Sequence, residues 1–162
     1  MKFRKKFKDF KTLSFPTISS TGSNGAIVHY NAKKKTNKLL KKGNIYLVDS
    51  GGQYHFGTTD VTRTISLDND KRRIKYIFTN VLKGHLNLSN YKLTQNTTGN
   101  ELDKLARKDL NSMSLDYAHG TGHGVGYYLN VHEGPQAISK NNKVKLKAGM
   151  ILSNEPGYYE KG

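Results

Sequence analysis

The sequence predicts an α+β fold within one domain that spans residues 1–162. Two segments, residues 70–82 and the stretch that follows Thr98, place apolar residues at the spacing of an amphipathic helix. Short apolar runs bounded by glycines, such as residues 45–49 and 59–67, are typical of β-strands. Mixed strands with two central helices indicate the α+β class.

In the first part of the chain, Phe3, Phe7 and Phe10 recur at helical spacing, so residues 2–12 are predicted to be the end of an amphipathic helix. Residues 45–49 and 59–67 are predicted to be the two strands of a hairpin around a glycine-rich connection. The intervening chain is predicted to contain an extended segment at 14–24, a short strand at 26–30 and an exposed segment at 33–42.

In the second part, the helix over residues 70–82 carries Ile74 and Ile77 on its apolar face, and Asp70 can cap its first turn. The run Thr98-Gly-Asn-Glu101 has the form of a capping box that opens the second helix. Further strands are predicted at 127–132, 144–146 and 150–154.

Two carboxylates stand out in the predicted hairpin. Asp49 ends the first strand and Asp60 lies within the second, and their odd separation allows them to be directly opposed. Directly opposed side chains point to the same face of a sheet, so the carboxylates are predicted to converge. Two ionised carboxylates repel each other at close range, and a shared cation relieves that repulsion.

The composition limits the classes of partner. The 27 Lys and Arg residues exceed the 12 Asp and Glu residues by 15, and such a charge attracts nucleic acid or acidic membranes. The lysines are scattered among asparagines without an RNA-binding motif, however, so we do not expect a nucleic-acid partner. The lack of cysteine and of a long apolar run predicts a cytoplasmic protein with no membrane partner.

The most informative stretch is His119-Gly-Thr-Gly-His123-Gly-Val-Gly. Combined with Asp49, Asp60 and Glu155, it offers a ligand set of carboxylate oxygens and one imidazole, without sulfur. Such a set suits Mn²⁺, Co²⁺ or Zn²⁺ at a hydrolytic centre better than a structural zinc ion, which usually takes thiolates. The sequence therefore predicts a metallohydrolase.

These motifs resemble the catalytic domain of the Xaa-Pro aminopeptidases (aminopeptidase P) of the pita-bread metallopeptidase family. The resemblance runs in order along nearly the whole chain. It is carried by Leu13-Ser-Phe-Pro-Thr-Ile-Ser, Gly22-Ser-Asn-Gly-Ala-Ile-Val-His29-Tyr, Asp49-Ser-Gly-Gly-Gln-Tyr, Gly57-Thr-Thr-Asp60-Val-Thr-Arg-Thr, residues 119–126, Val131-His132-Glu and Glu155-Pro-Gly-Tyr-Tyr.

The resemblance implies two divalent metal ions, most often manganese, with cobalt or zinc as alternatives. Asp49 would bind one ion, Asp60 would bridge both, and His123 and Glu155 would bind the other. The metal pair would activate water for hydrolysis of the bond before a proline in the second position of a peptide. Glu155 can also transfer a proton. The remaining matches are non-ligand histidines that contact substrate, stabilise the oxyanion or assist proton movement, namely His29, His119 and His132.

The family also implies N-terminal domains, a possible homodimer in the intact enzyme, and a second bridging glutamate in a Gly-Ile-Arg-X-Glu strand that would follow Gly162. The pita-bread fold is therefore expected to be incomplete at both ends, with an exposed sheet edge. Two alternatives stay open at this point. The chain can be a non-catalytic remnant, or a pita-bread binding module with non-specific affinity for nucleic acid.

Overall fold

A computed structural model describes residues 1–68, 71–128 and 130–160. The chain divides into two compact units. The first comprises the described residues within Met1–Lys71, Tyr127–Val131 and Tyr159–Gly162, and the second those within Arg72–Gly126 and His132–Tyr158. The first unit is built mainly of strands and the second carries both long helices, so the predicted α+β class is confirmed.

The first unit contains two antiparallel three-stranded sheets. Two short 3₁₀ helices, Arg4–Lys6 and Gly22–Ala26, accompany them. The strands are β1 (Phe10–Leu13), β2 (Ile18–Thr21), β3 (Asn44–Ser50), β4 (Gly52–Tyr54), β5 (Gly57–Thr58) and β6 (Val61–Leu67). One sheet has the order β2-β3-β6 and the other the order β1-β4-β5.

The second unit packs two helices, α1 (Arg72–Ser89) and α2 (Gly99–Asn111), with a two-stranded antiparallel sheet of β7 (Gly122–Gly124) and β8 (Glu133–Ile138). Its apolar core lies between α2, β8 and the chain that follows β8. The core residues are Leu102, Ile138 and Leu146, with Leu88, Tyr91, Met150 and Leu152 packed against them.

The start of α2 agrees with the sequence. Thr98 has an extended backbone, and its side-chain oxygen accepts a hydrogen bond from the backbone N–H of Glu101. This bond satisfies one of the four N–H groups that a helix leaves without an intrahelical partner. Glu101 also places an acidic group in the first turn, where the helix dipole favours it. The capping box predicted the beginning of α2.

The prediction of a helix over residues 2–12 is wrong. Only a single 3₁₀ turn forms there, and Phe3 and Phe7 are exposed, so no partner surface stabilises a longer helix. Phe10 begins strand β1 instead. Its ring packs edge-on against that of Tyr54 on β4, and the two ring centroids lie 5.7 Å apart. The strand predicted at 26–30 is also absent, because a 3₁₀ helix ends at Ala26 and a turn follows. The segment 33–42 is exposed as predicted.

The later elements agree with the sequence in part. Helix α1 is longer than the predicted 70–82, and the proposed cap Asp70 lies outside the described residues. The described part of 127–132 forms bends, and the strand begins only at Glu133, where pairing with Gly124 starts. The segments 144–146 and 150–154 contain only single bridges, at Lys145 and Leu152.

The register around the two aspartates differs from the predicted simple hairpin. Strand β3 pairs Asp49 with Thr62, so Asp49 and Asp60 are not directly opposed, and Asp60 precedes β6. The reason is the position of the turn, because the pairs Ser50–Val61 and Tyr54–Gly57 belong to one continuous register that closes on a two-residue turn at 55–56. Thr59 donates its N–H to the Gly52 carbonyl at 2.9 Å, which continues the same register and sets Asp60 opposite Gly51.

Within the described residues, none of the helices combines the length and the hydrophobicity that a membrane span requires.

Candidate metal centre

A ladder of backbone hydrogen bonds places His123 and Glu155 together. Three N–H groups donate across it: Val125 to the Ile151 carbonyl at 3.2 Å, Ser153 to that of His123 at 2.8 Å, and Glu155 to that of Thr121 at 2.8 Å. Alternate residues bond in this way along antiparallel extended chains. The His123 Nε2 and Glu155 Oε1 atoms consequently lie 3.1 Å apart. Two potential metal ligands therefore meet on backbone fixed by hydrogen bonds.

Ser153 connects these two ligands. Its Oγ accepts a hydrogen bond from the His123 backbone N–H at 2.9 Å and donates one to Glu155 Oε1 at 2.6 Å. The serine thus ties the backbone of one ligand to the carboxylate of the other. Such contacts orient ligands before a metal binds and tune its affinity.

The glycines of this region allow the close approach of the two segments. A Cβ atom on Gly122 would collide with the Ser153 carbonyl oxygen, and one on Gly124 would collide with that of Glu133. The glycine-rich sequence around His123 is therefore required by packing on both sides of β7.

In the first unit, Asp49 and Asp60 lie on one face of extended chain. Asp60 stands opposite Gly51, and Gly51 is two residues from Asp49, so side-chain alternation directs both carboxylates to the same side. They are diagonal neighbours, which remain within reach of a shared cation. Both are half-buried. The predicted convergence of the two carboxylates agrees with this register, although the predicted direct opposition does not.

The three other histidines of the predicted site lie in different settings. His132 is exposed, and its ring centroid lies 4.1 Å from that of His123. His119 is half-buried, and its Nδ1 lies 2.7 Å from the Gly120 carbonyl. His29 is exposed in the first unit, with a φ of 60° that few residues other than glycine adopt.

The guanidinium of Arg107 is a buried cation that contacts the loop carrying His119. The side chain of Arg107, on α2, is 4% exposed, and its guanidinium donates to four oxygen atoms. Its Nε contacts Asp103 Oδ2 at 2.8 Å, and its Nη1 contacts Asp116 Oδ1 at 2.6 Å. The Tyr117 and His119 carbonyl oxygens each accept at 2.7 Å. Its central carbon also lies 3.8 Å from the centroid of the Tyr117 ring.

The network continues to Thr121. The Thr121 hydroxyl donates to Asp103 Oδ1 at 2.6 Å, and therefore accepts the hydrogen bond that it shares with the Tyr117 hydroxyl. Burial raises the pKa of Tyr117 to about 12, which keeps that phenol protonated as the donor. Asp103 and Thr121 are both fully buried, and their polar atoms find hydrogen-bond partners within this cluster.

Asp116 is the partly exposed member of this network and binds Arg107. Partial burial alone would raise the pKa of this carboxyl, but hydrogen bonds from Lys140 and Arg107 outweigh it and lower the pKa to about 2. Burial works against the charge of Arg107 as well, yet the hydrogen bonds to Asp103 and Asp116 leave its pKa raised.

Several contacts around the site were not predicted. Sequence spacing offered signals for two of them, since Ser153 lies two residues before Glu155 on extended chain and Asp103 lies one helical turn before Arg107.

The other two histidines lie outside the predicted site. His85 lies on α1. It is half-buried, and its Nδ1 lies 3.1 Å from the Asn154 carbonyl, while the Asn154 amide donates to the His85 carbonyl at 3.0 Å. His55, in contrast, is exposed.

Comparison with known proteins establishes the class of this chain. The sequence profile of Metallopeptidase family M24 matches residues 1–162, and the chain belongs to that family. Its structural relatives share the pita-bread fold, so the predicted fold is confirmed for the part of it that this chain represents.

Among individual relatives, Xaa-Pro aminopeptidase 1 of Dictyostelium discoideum is 53% identical over 99% of this chain, and the match covers 26% of that protein. The crystal structure of an X-prolyl aminopeptidase from Caenorhabditis elegans, described as a cytosolic enzyme with a di-nuclear active site, superposes with a TM-score of 0.92 at 43% identity. That match covers 99% of this chain and 26% of the worm protein.

A prolidase from Pyrococcus furiosus has the same fold at 29% identity and a TM-score of 0.84, covering 96% of this chain and 44% of that protein. The chain thus spans about a quarter of the length of the relatives that share half of its sequence.

Proposed function

We propose that residues 1–162 form part of one metallopeptidase catalytic domain, which hydrolyses the bond between the first residue of a peptide and a proline in the second position. The observation that carries the proposal is the pairing of His123 Nε2 with Glu155 Oε1 at 3.1 Å on hydrogen-bonded backbone, in a member of family M24. The specificity for proline rests on the high identity to an Xaa-Pro aminopeptidase.

Four residues would hold the metal ions: Asp49, Asp60, His123 and Glu155. Their chemistry fits, because three carboxylates and one imidazole suit divalent ions that prefer oxygen and nitrogen. The Ser153 hydroxyl supplies the orienting contact that metal ligands usually have. We propose two divalent ions, in line with the di-nuclear active site of the related worm enzyme, and manganese as the preferred metal, with cobalt or zinc as alternatives.

When bound, the metal ions would lower the pKa of water and polarise the scissile carbonyl. The residues of the chain then have separate tasks in this proposal. Glu155 carries a carboxylate that can hold the proton destined for the proline nitrogen. His29, His119 and His132 contact the substrate, stabilise negative charge on the carbonyl oxygen or relay protons.

The test is hydrolysis of a tripeptide with proline in the second position by the purified chain in the presence of Mn²⁺. We expect release of the first residue, little release from the matched tripeptide with alanine in the second position, and loss of activity in Glu155→Gln. Glu101→Gln, at the start of α2, is the matched control and should keep full activity. A folded, Mn²⁺-loaded chain that releases nothing would contradict the proposal.

A nucleic-acid partner is not part of the proposal, although the net charge of +15 is the observation that favours it. Such binding would depend steeply on salt and would survive the Glu155→Gln change. We also propose a cytoplasmic location, supported by the lack of cysteine and by the related cytosolic enzyme. A homodimer of the intact enzyme stays a prediction.

A further inference from the structure

The buried guanidinium of Arg107 contacts the loop that carries His119 and binds none of the proposed metal ligands directly. We propose that Arg107 is a positioning residue, which fixes the backbone of the loop at 116–121 and thereby the orientation of His119. The effect of this positioning on catalysis rests on the proposed peptidase function. The positioning of His119 by Arg107 does not depend on that function.

Arg107 binds main-chain atoms of this loop. Two of its four acceptors are the carbonyls of Tyr117 and His119, both at 2.7 Å. A side chain that donates to main-chain oxygens two residues apart fixes the path of the backbone between them. His119 is one of these two residues, so the position of its ring depends on the path of the backbone.

The shape of the guanidinium suits these acceptors. It is planar and offers five N–H groups in a fixed fork, whereas an ammonium group presents a compact point charge. Here three nitrogen atoms reach Asp103, Asp116 and the two carbonyls in different directions. A lysine at 107 would keep the positive charge and lose this set of directions.

The network also reaches Thr121, the residue directly before β7. Asp103, which accepts from Arg107 Nε, also accepts from the Thr121 hydroxyl, and the Thr121 carbonyl accepts the N–H of Glu155. One side of this chain of contacts therefore ends at His119 and the other at a proposed metal ligand. Glu155 has its own support from Ser153, so the loss of Arg107 should disturb His119 more than the metal ligands.

The variant that tests the proposal is Arg107→Lys, because removal of the charge in Arg107→Met would leave Asp103 buried without this cation and can prevent folding. Lys108→Arg is the matched control, since it exchanges the same two side chains at the adjacent exposed position of α2. Thermal unfolding of each variant gives the folded fraction to which the other measurements are normalised.

The first readout is independent of activity. The protein has six histidines, and ¹⁵N-histidine labelling resolves their ring signals by NMR, assigned by single histidine substitutions. In Arg107→Lys we expect the His119 ring signals to shift and broaden while those of His55, in the first unit, stay unchanged. Unchanged His119 signals in folded Arg107→Lys would overturn the proposal.

The second readout is catalytic. We expect kcat for the Xaa-Pro tripeptide to fall on the order of tenfold to 100-fold in Arg107→Lys, as a small misplacement of a reacting group can cause, while Mn²⁺ affinity changes less than about threefold. Equal loss in Lys108→Arg, or an unchanged kcat in Arg107→Lys, would also overturn it. If the unaltered chain hydrolyses nothing, the proposed function fails, and the NMR readout alone decides whether Arg107 positions His119.

Discussion

At the scale of single residues, the proposed metal ligands are contacted by side chains that are not themselves proposed as ligands. Ser153 illustrates the point, because one hydroxyl accepts from the backbone of His123 and donates to the carboxylate of Glu155. The Ser153 hydroxyl thus holds the Glu155 carboxylate through Oε1, and Oε2 takes no part in this contact.

Substitution of Ser153 by alanine should therefore weaken metal binding without removing a ligand. We expect Mn²⁺ affinity, measured by titration calorimetry, to fall about tenfold to 100-fold, as is typical when an orienting partner of a ligand is lost. Ser139→Ala, a half-buried serine outside this contact, is the control. Equal affinities in Ser153→Ala and the unaltered chain would show that the hydroxyl does not orient Glu155.

Asp116 gives a prediction about pH. Its pKa is about 2 in the folded chain and lies below its ordinary value of 3.8. The ionised carboxylate therefore stabilises the fold at pH values above that ordinary pKa. That contribution is lost as the pH falls through the range from about 4 to 2. Because Asp116 is partly exposed, solvent screening limits the contribution to about 1 kcal/mol or less.

The measurement is urea unfolding of the unaltered chain and of Asp116→Asn from pH 7 to pH 2. We expect the variant to be less stable at neutral pH and the difference in free energy of unfolding to close toward pH 2. A difference that stays constant over this range would contradict the assigned role of the carboxylate. Asp109→Asn, on α2 and outside the contacts of Arg107, controls for the general effect of removing an acidic group.

At the scale of elements, the sequence predicts helices and strands where local chemistry is strong. The Thr98 capping box and the apolar strand over 45–49 are examples, and both occur where expected. Prediction fails where residues outside the local sequence pattern determine the structure. Phe3 and Phe7 have helical spacing but no surface to pack on. The partner of Asp49 depends on the turn at 55–56, several residues away from either aspartate.

The candidate site follows the same division. Asp49, Asp60, His123 and Glu155 could be chosen from residue type and order along the chain. The Ser153 contacts and the Arg107 network could not, because they depend on which carbonyls and hydroxyls the tertiary fold brings within hydrogen-bonding distance.

Gly122 offers a test of the packing that β7 requires. A Cβ atom at this position would overlap the Ser153 carbonyl, so Gly122→Ala should separate β7 from the extended segment that carries Glu155. We expect a loss of about 1–3 kcal/mol in the free energy of unfolding and a larger loss of Mn²⁺ affinity than in a control variant. Gly57→Ala is that control, because a Cβ atom there would meet no atom of the described residues within 4 Å. Equal effects of the two changes would contradict this packing.

At the scale of the whole molecule, we expect the edge of the β2-β3-β6 sheet to affect association. Among the described residues, β6 pairs only with β3, and Val61 and Ile65 are 43% and 46% exposed on it. Unpaired edge strands with apolar side chains favour contact with other chains, and charged residues oppose it.

Ile65→Lys should therefore reduce self-association, which sedimentation velocity measures. We expect the association constant to fall at least about tenfold, equivalent to about 1.4 kcal/mol. Asn111→Lys adds the same charge at the end of α2 and should have a smaller effect. If both variants associate equally, the net charge and not the strand edge controls the behaviour.

The central claim is that side chains from distant parts of the sequence bind divalent metal together. Its most direct test is a Mn²⁺ titration followed by the electron paramagnetic resonance signal of the free ion, for the unaltered chain and for Asp60→Asn, His123→Ala and Glu155→Gln. We expect saturable binding that each substitution weakens by more than about 100-fold, the upper range for loss of an orienting partner alone. Binding of equal affinity in all four proteins would contradict the claim.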